Sequence, residues 1–99
     1  MAVTQKIKKR NGEIVDFQPE KIAIAVQKAF AATLGDSHEA DSKDITRVVA
    51  ESIDLQYGNT AFIPSVEAIQ DLVETALMVR NYFSVAKNYI IYRYEHDKA

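Results

Sequence analysis

The residues whose types and spacing suggest chemistry are cationic and close together. In KKRNGEIVDFQPEKI, residues 8–22, three basic residues precede an Asn-Gly pair, and Lys21 follows a Pro-Glu step that has the form of a helix start. Lys9 and Arg10 on a hairpin and Lys21 one turn into a helix are placed to converge on one polyphosphate, with the helix N-terminus adding a favourable field. The competing reading is that these charges solubilise the surface and protect an edge strand. Reactive constellations are missing from the rest of the chain. His38 sits in a polar loop and His96 at the chain end, neither in an HExxH-type spacing, so both read as solvated side chains. Serines 37, 42, 52, 65 and 84 lack a nucleophile elbow, and Ser42 and Ser65 read as helix caps. Asp36, Glu39, Asp41 and Asp44 form an acidic loop without apolar surroundings to shift a carboxyl pKa. The three glycines, at 12, 35 and 58, do not form a phosphate-cradling loop, so any phosphate must be held by side chains.

The elements that must position these residues follow from local pattern. Asn11-Gly12 is the dipeptide of two-residue hairpin turns, which predicts the pairs Arg10 with Glu13, Lys9 with Ile14, Lys8 with Val15, Ile7 with Asp16 and Lys6 with Phe17. One face then carries Ile7, Lys9, Ile14 and Asp16, and the other Lys8, Arg10, Val15 and Phe17. A lone hairpin is marginal in water, so this one must lie on helices. Pro19 opens a helix over 19–34, with Ile22, Ala25, Val26, Ala29 and Phe30 at helical spacing up to Gly35. A second begins near Asp41 or Ser42, buries Ile45, Val48, Val49 and Ile53, and ends at Tyr57-Gly58-Asn59. A third follows Pro64-Ser65 with the stripe Val66, Ile69, Leu72, Val73, Ala76 and Leu77, and a fourth runs from Tyr82 to Glu95. The fourth is apolar on more than one side, as a helix with several neighbours is. The fold class is α+β, mostly α: an N-terminal β-hairpin lid over a bundle of four short helices.

Bulk properties narrow the function. Ninety-nine residues, 47% hydrophobic and 26% charged, make one globular domain over 1–99 with no room for a deep catalytic cleft between lobes. The abrupt end at YEHDKA suggests a regulatory segment of a longer chain. The absence of cysteine excludes disulfides, thiolate nucleophiles and cysteine-bound zinc. No long apolar run follows Met1, so no membrane association is expected and the expected compartment is the cytoplasm. A net charge of −2 disfavours a sequence-blind nucleic-acid binder.

Three blocks in order, IKKRNGEIVDFQPEKIAIAVQKAF, VEAIQDLVETAL and VAKNYIIYRYEHDKA, closely resemble the ATP-cone, a small regulatory domain of many ribonucleotide reductases, over residues 7–97. The resemblance implies that Lys9, Arg10 and Lys21 contact a triphosphate and that Ile7, Phe17 and Ile22 enclose the base. It further implies that Val66, Ile69, Gln70 and Tyr92 complete the adenine and ribose pocket, and that Lys87 and Arg93 are candidates for further phosphate where a cone holds two nucleotides. Val15 stands where some members carry a glutamate, which leaves any acidic contact to ribose or magnesium at that position in doubt.

The expectation is thus a non-catalytic allosteric domain that binds ATP or dATP with Mg2+ and sets the overall activity of a ribonucleotide reductase. Its partners would be the remainder of that enzyme and its other subunit, with self-association driven by dATP. Two alternatives stand beside it: the nucleotide-sensing cone of a transcriptional repressor, which needs zinc ligands that this chain lacks, and a helical interaction module that binds no nucleotide.

Overall fold

Pro19 can occupy the first turn of a helix because the N–H it lacks would be unpaired there anyway. In the computed structural model, which describes residues 6–58 and 61–96 and the side chains up to Glu95, α1 spans Pro19–Leu34. Gly35 ends it in the left-handed conformation, φ 78°, with its N–H donating to the Ala31 carbonyl. The remaining helices are α2 (Glu39–Tyr57), α3 (Val66–Val79) and α4 (Phe83–His96). Strands β1 (Lys6–Lys8) and β2 (Ile14–Asp16) precede them as an antiparallel hairpin. The α+β, mostly helical class is therefore as expected. Asn59 and the His96 side chain lie outside the described residues.

Each helix buries one face against two neighbours: α1 packs on α2 and α4, and α3 packs on the same two. Phe30, Ile45, Ile53, Leu77, Val26, Val49, Val73 and Val85 are fully buried at the centre. Phe30 is held between two rings, stacked on His38 with centroids 5.1 Å apart and edge-on to Tyr82 at 5.0 Å. His38 is therefore not a solvated loop residue. It precedes α2 in the left-handed region, φ 47°, with its Nδ1 3.0 Å from Asp41 Oδ2 and its N–H donating to Asp36 Oδ1 at 3.0 Å. This turn starts α2 at Glu39, two residues before Asp41, and acidic residues suit a helix first turn electrostatically. Ser42 consequently lies inside the helix, fully buried, with its hydroxyl donating to the Ser37 carbonyl at 3.0 Å, and does not act as a cap. Ser65 does cap α3: its Oγ accepts from the Ala68 N–H at 3.1 Å.

The hairpin differs from expectation in register. Lys6, Ile7 and Lys8 pair with Asp16, Val15 and Ile14, one residue out of step with a two-residue turn. The loop is Arg10-Asn11-Gly12: the Lys9 carbonyl accepts from the Gly12 N–H at 2.9 Å, and the Lys9 N–H donates to the Glu13 carbonyl at 2.7 Å. Only Gly12, at φ 90°, takes the left-handed conformation, while the Asn11 side chain accepts from the Glu13 N–H at 3.0 Å. A type I turn closed by a left-handed glycine is the three-residue alternative open to this sequence. A one-residue slip exchanges the faces of a strand. Ile7, Lys9, Val15 and Phe17 thus share the face toward the helices, and Ile14 points outward, half exposed. The hairpin is also anchored sideways: the Lys8 N–H donates to the Pro64 carbonyl at 2.9 Å and Lys8 bridges to Ser65, which ties β1 to the start of α3.

Candidate functional site

The inner face of the hairpin does not close on the bundle. Between them lies a cleft of about 470 Å³, within the range of small-molecule sites. Its roof is Ile7, Lys9, Val15, Asp16 and Phe17, followed by Gln18; its floor is Lys21, Ile22 and Ala25 of α1, Val66, Ile69 and Gln70 of α3, and Tyr89 and Tyr92 of α4. The reasons are local. Lys21, Ile22 and Ala25 share one face of α1 because they are three and four residues apart, and Val66, Ile69 and Gln70 do the same at the capped start of α3. The hairpin sits above both because the chain enters α1 directly from β2 and because β1 is bonded to the α3 entry.

The cleft combines apolar walls with few polar groups. Lys9 pairs with Glu13 at 3.4 Å, both about half exposed, so the bond is weak. Asp16 pairs with Lys6. Among the described residues Lys21 makes no ion pair, and this exposed residue lines the cleft. Gln70 Oε1 is buried without a hydrogen-bond donor among the described residues. A buried acceptor left unpaired costs about 1–3 kcal/mol, so this carbonyl favours any ligand that brings it an N–H or O–H. Tyr92 is braced by two neighbours, the Tyr89 ring stacked at 6.4 Å and the Lys28 ammonium 5.8 Å from its centroid. Burial pushes the Tyr89 phenol well above its ordinary pKa, although the Arg93 charge opposes the shift, so the ring stays neutral.

The structure brings Ile7, Lys9, Phe17, Lys21, Ile22, Val66, Ile69, Gln70 and Tyr92 to this one cleft. It does not bring Arg10, Lys87 or Arg93 there. Arg10 lies on the turn, and its guanidinium meets Glu67 of α3 at 3.2 Å, which makes it a second tie between hairpin and bundle. Lys87 is exposed, five residues before Tyr92 and so about 140° around the helix from it. Arg93 is engaged by Asp71 at 2.8 Å and by Glu74. Sequence reasoning missed Val15, Asp16, Gln18, Ala25 and Tyr89 as lining residues. Ala25 and Tyr89 were accessible from helical spacing, three residues from Ile22 and Tyr92 respectively, and Val15, noted only for the glutamate that other members carry there, lines the cleft as an apolar residue. Among the described residues no group of three His, Cys, Asp or Glu side chains could hold a metal ion, and no helix is long and apolar enough to cross a membrane.

Comparison with known proteins places the chain in a family. The ribonucleoside-diphosphate reductase subunit alpha of Chlamydia pneumoniae is 40% identical over 97 residues, which are 92% of this chain and 9% of that protein. The vitamin B12-dependent ribonucleoside-diphosphate reductase of Thermoplasma acidophilum is 34% identical over 94 residues, 90% of this chain and 12% of that protein. The subunit alpha of Treponema pallidum is 36% identical over 92 residues, 91% of this chain and 11% of that protein. The chain thus spans only 9–12% of the length of these relatives. The family model described as ATP cone domain matches residues 5–98, and on that match over nearly its whole length the chain belongs to the ATP-cone family.

Proposed function

We propose that the chain is a non-catalytic allosteric domain that binds ATP and dATP in the cleft beneath the hairpin and controls the overall activity of a ribonucleotide reductase. The observation that carries this reading is the composition of the cleft: cationic Lys9 and Lys21 accompany apolar walls, a braced tyrosine and one orphaned acceptor at Gln70. A nucleoside triphosphate needs that mixture. The phosphates meet the two ammonium groups, with the α1 N-terminus adding its field, and the flat base is enclosed by Ile7, Phe17, Ile22 and Tyr92. Gln70 Oε1 accepts a hydrogen bond from the base amine or a ribose hydroxyl. Magnesium is carried by the phosphates, since it retains most of its waters and rarely requires a protein cage.

ATP and dATP differ by one 2′-hydroxyl, so regulation requires the two ligands to favour different states of the domain and its host. Hairpin, α1, α3 and α4 all border the cleft, so a change in ligand seating alters the relative positions of elements whose outer faces are free to meet other subunits. In this reading ATP favours the active assembly and dATP drives association into an inactive one. The relatives compared above are reductases, which favours a reductase host over a repressor. The test is calorimetric titration of the chain with ATP and dATP in magnesium, followed by light scattering. Competitive binding without phosphate release, and a mass that rises with dATP only, are the expected results. A folded chain that evolves no heat with either nucleotide refutes the reading.

A further inference from the structure

Helix α4 has no single apolar stripe. Val85, Ala86 and Tyr89 are buried, yet Phe83, Ile90, Ile91 and Tyr94 are 41–62% exposed. Turning α4 by one residue, about 100°, exchanges Tyr89 for Ile90 at the bundle but also Ala86 for Lys87, so hydrophobic burial already disfavours that rotation, while the exposed Ile90, Ile91 and Tyr94 reduce the preference. A directional contact adds to it. Arg93 is only 19% exposed at its side chain, and its Nη1 donates both to Asp71 Oδ1 at 2.8 Å and to Glu74 Oε2, the latter carboxylate being 16% exposed. Burial works against the Arg93 charge, and the hydrogen bond to Asp71 together with the fields of both carboxylates more than offsets it. Rotation of α4 would carry Arg93 away and leave Glu74 of α3 partly buried without its partner, an outcome that proteins avoid. On its other side Asn88 Nδ2 donates to Thr33 Oγ1 at 2.6 Å, which ties α4 to α1 rather than to α3.

We propose that the Arg93–Asp71–Glu74 cluster is a positioning device that holds α4 in its rotation against α3 and thereby keeps Tyr89 and Tyr92 facing the cleft. Arg93 lies one turn beyond Tyr89 and next to Tyr92, while Asp71 follows Gln70 directly and Glu74 is one turn further on. One cluster therefore locks together the α3 and α4 walls of the same site. A partly buried polar contact that fixes the register of a helix against its neighbour is a known use of such groups. The consequence for nucleotide affinity rests on the function proposed above; the consequence for the tyrosines does not.

The test compares the unmodified chain with Arg93→Met and Arg93→Lys, reading far-UV circular dichroism, the ring resonances of Tyr89 and Tyr92, and ATP affinity. Arg93→Met is expected to keep its helical signal, shift both rings and weaken ATP binding about ten-fold. Arg93→Lys, which keeps the charge, is expected to restore most of both. Unshifted rings in Arg93→Met overturn the proposal whether or not affinity falls, because a loss of affinity alone would mean that Arg93 meets the ligand directly. If Arg93→Met does not fold, Glu74→Gln and the exposed Asp71→Asn carry the same two readouts, with smaller shifts expected and unshifted rings again decisive against it. If the unmodified chain binds no ATP, the functional reading fails, and the ring resonances still decide the register.

Discussion

If the cleft holds a triphosphate, its cations should differ in importance in an order set by what each already touches. Lys21 makes no ion pair among the described residues, so binding costs it nothing but side-chain ordering. A charge-assisted hydrogen bond contributes about 1.5–3 kcal/mol, and because Lys21 is exposed, solvent screening favours the lower end. Lys21→Ala should therefore weaken ATP binding about ten-fold. Lys9 must first give up Glu13 at 3.4 Å, an exposed pair contributing under about 1 kcal/mol, so Lys9→Ala should cost somewhat less. Arg10 is held by Glu67 away from the cleft, and Arg10→Ala should change affinity by only about two-fold through a loosened hairpin. Lys87→Ala, on the far side of α4, is the internal control and should have no effect. Calorimetry at two salt concentrations, with circular dichroism on every variant, provides the measurement, and raised salt should weaken binding in the unmodified chain more than in Lys21→Ala. Normal affinity in a folded Lys21→Ala, or equal losses from Lys21→Ala and Lys87→Ala, would refute the reasoning.

Three further outcomes concern stability. The Tyr89 phenol has its pKa raised by burial, so the folded state retains the proton that the unfolded chain loses above its ordinary value of 10.0. The resulting stability is intact below pH 10.0 and is lost as pH rises beyond it, by about 1.4 kcal/mol per pH unit, and urea titrations at rising pH should show that slope reduced in Tyr89→Phe. Phe30→Ala removes a fully buried ring packed between His38 and Tyr82, and should cost about 3–5 kcal/mol; a melting temperature within a few degrees of the parent would contradict the packing described. Ser65→Ala removes the α3 cap and should cost about 1 kcal/mol in denaturant titration, whereas Ser42→Ala acts in the core and tests a different contact, the bond to the Ser37 carbonyl.

The local chain determined what depends on neighbours along it. Pro19 and Gly35 delimit α1 by their own backbone preferences, Ser65 caps α3 with its own hydroxyl, and the spacing of Val66, Ile69, Val73 and Leu77 marks the buried side of that helix. The hairpin was legible for the same reason, since Gly12 supplies the positive φ that a tight turn needs. Its register was not. Asn11-Gly12 serves two-residue and three-residue loops alike, each strand mixes apolar and charged residues, and only packing of Ile7, Val15 and Phe17 against the helices favours one pairing over the other. The family resemblance points to most of the cleft residues, yet it does not separate Lys9 and Lys21, which line the cleft, from Arg10, which Glu67 draws away. The rotation of α4 was hard to see, because Phe83, Ile90, Ile91 and Tyr94 place apolar residues outside the buried spacing of Val85, Ala86 and Tyr89. Contacts between residues distant in the chain, Lys8 with Pro64, Arg10 with Glu67 and Arg93 with Asp71 and Glu74, made those choices. Such contacts depend on the packed arrangement of all four helices at once, which no short stretch of sequence contains.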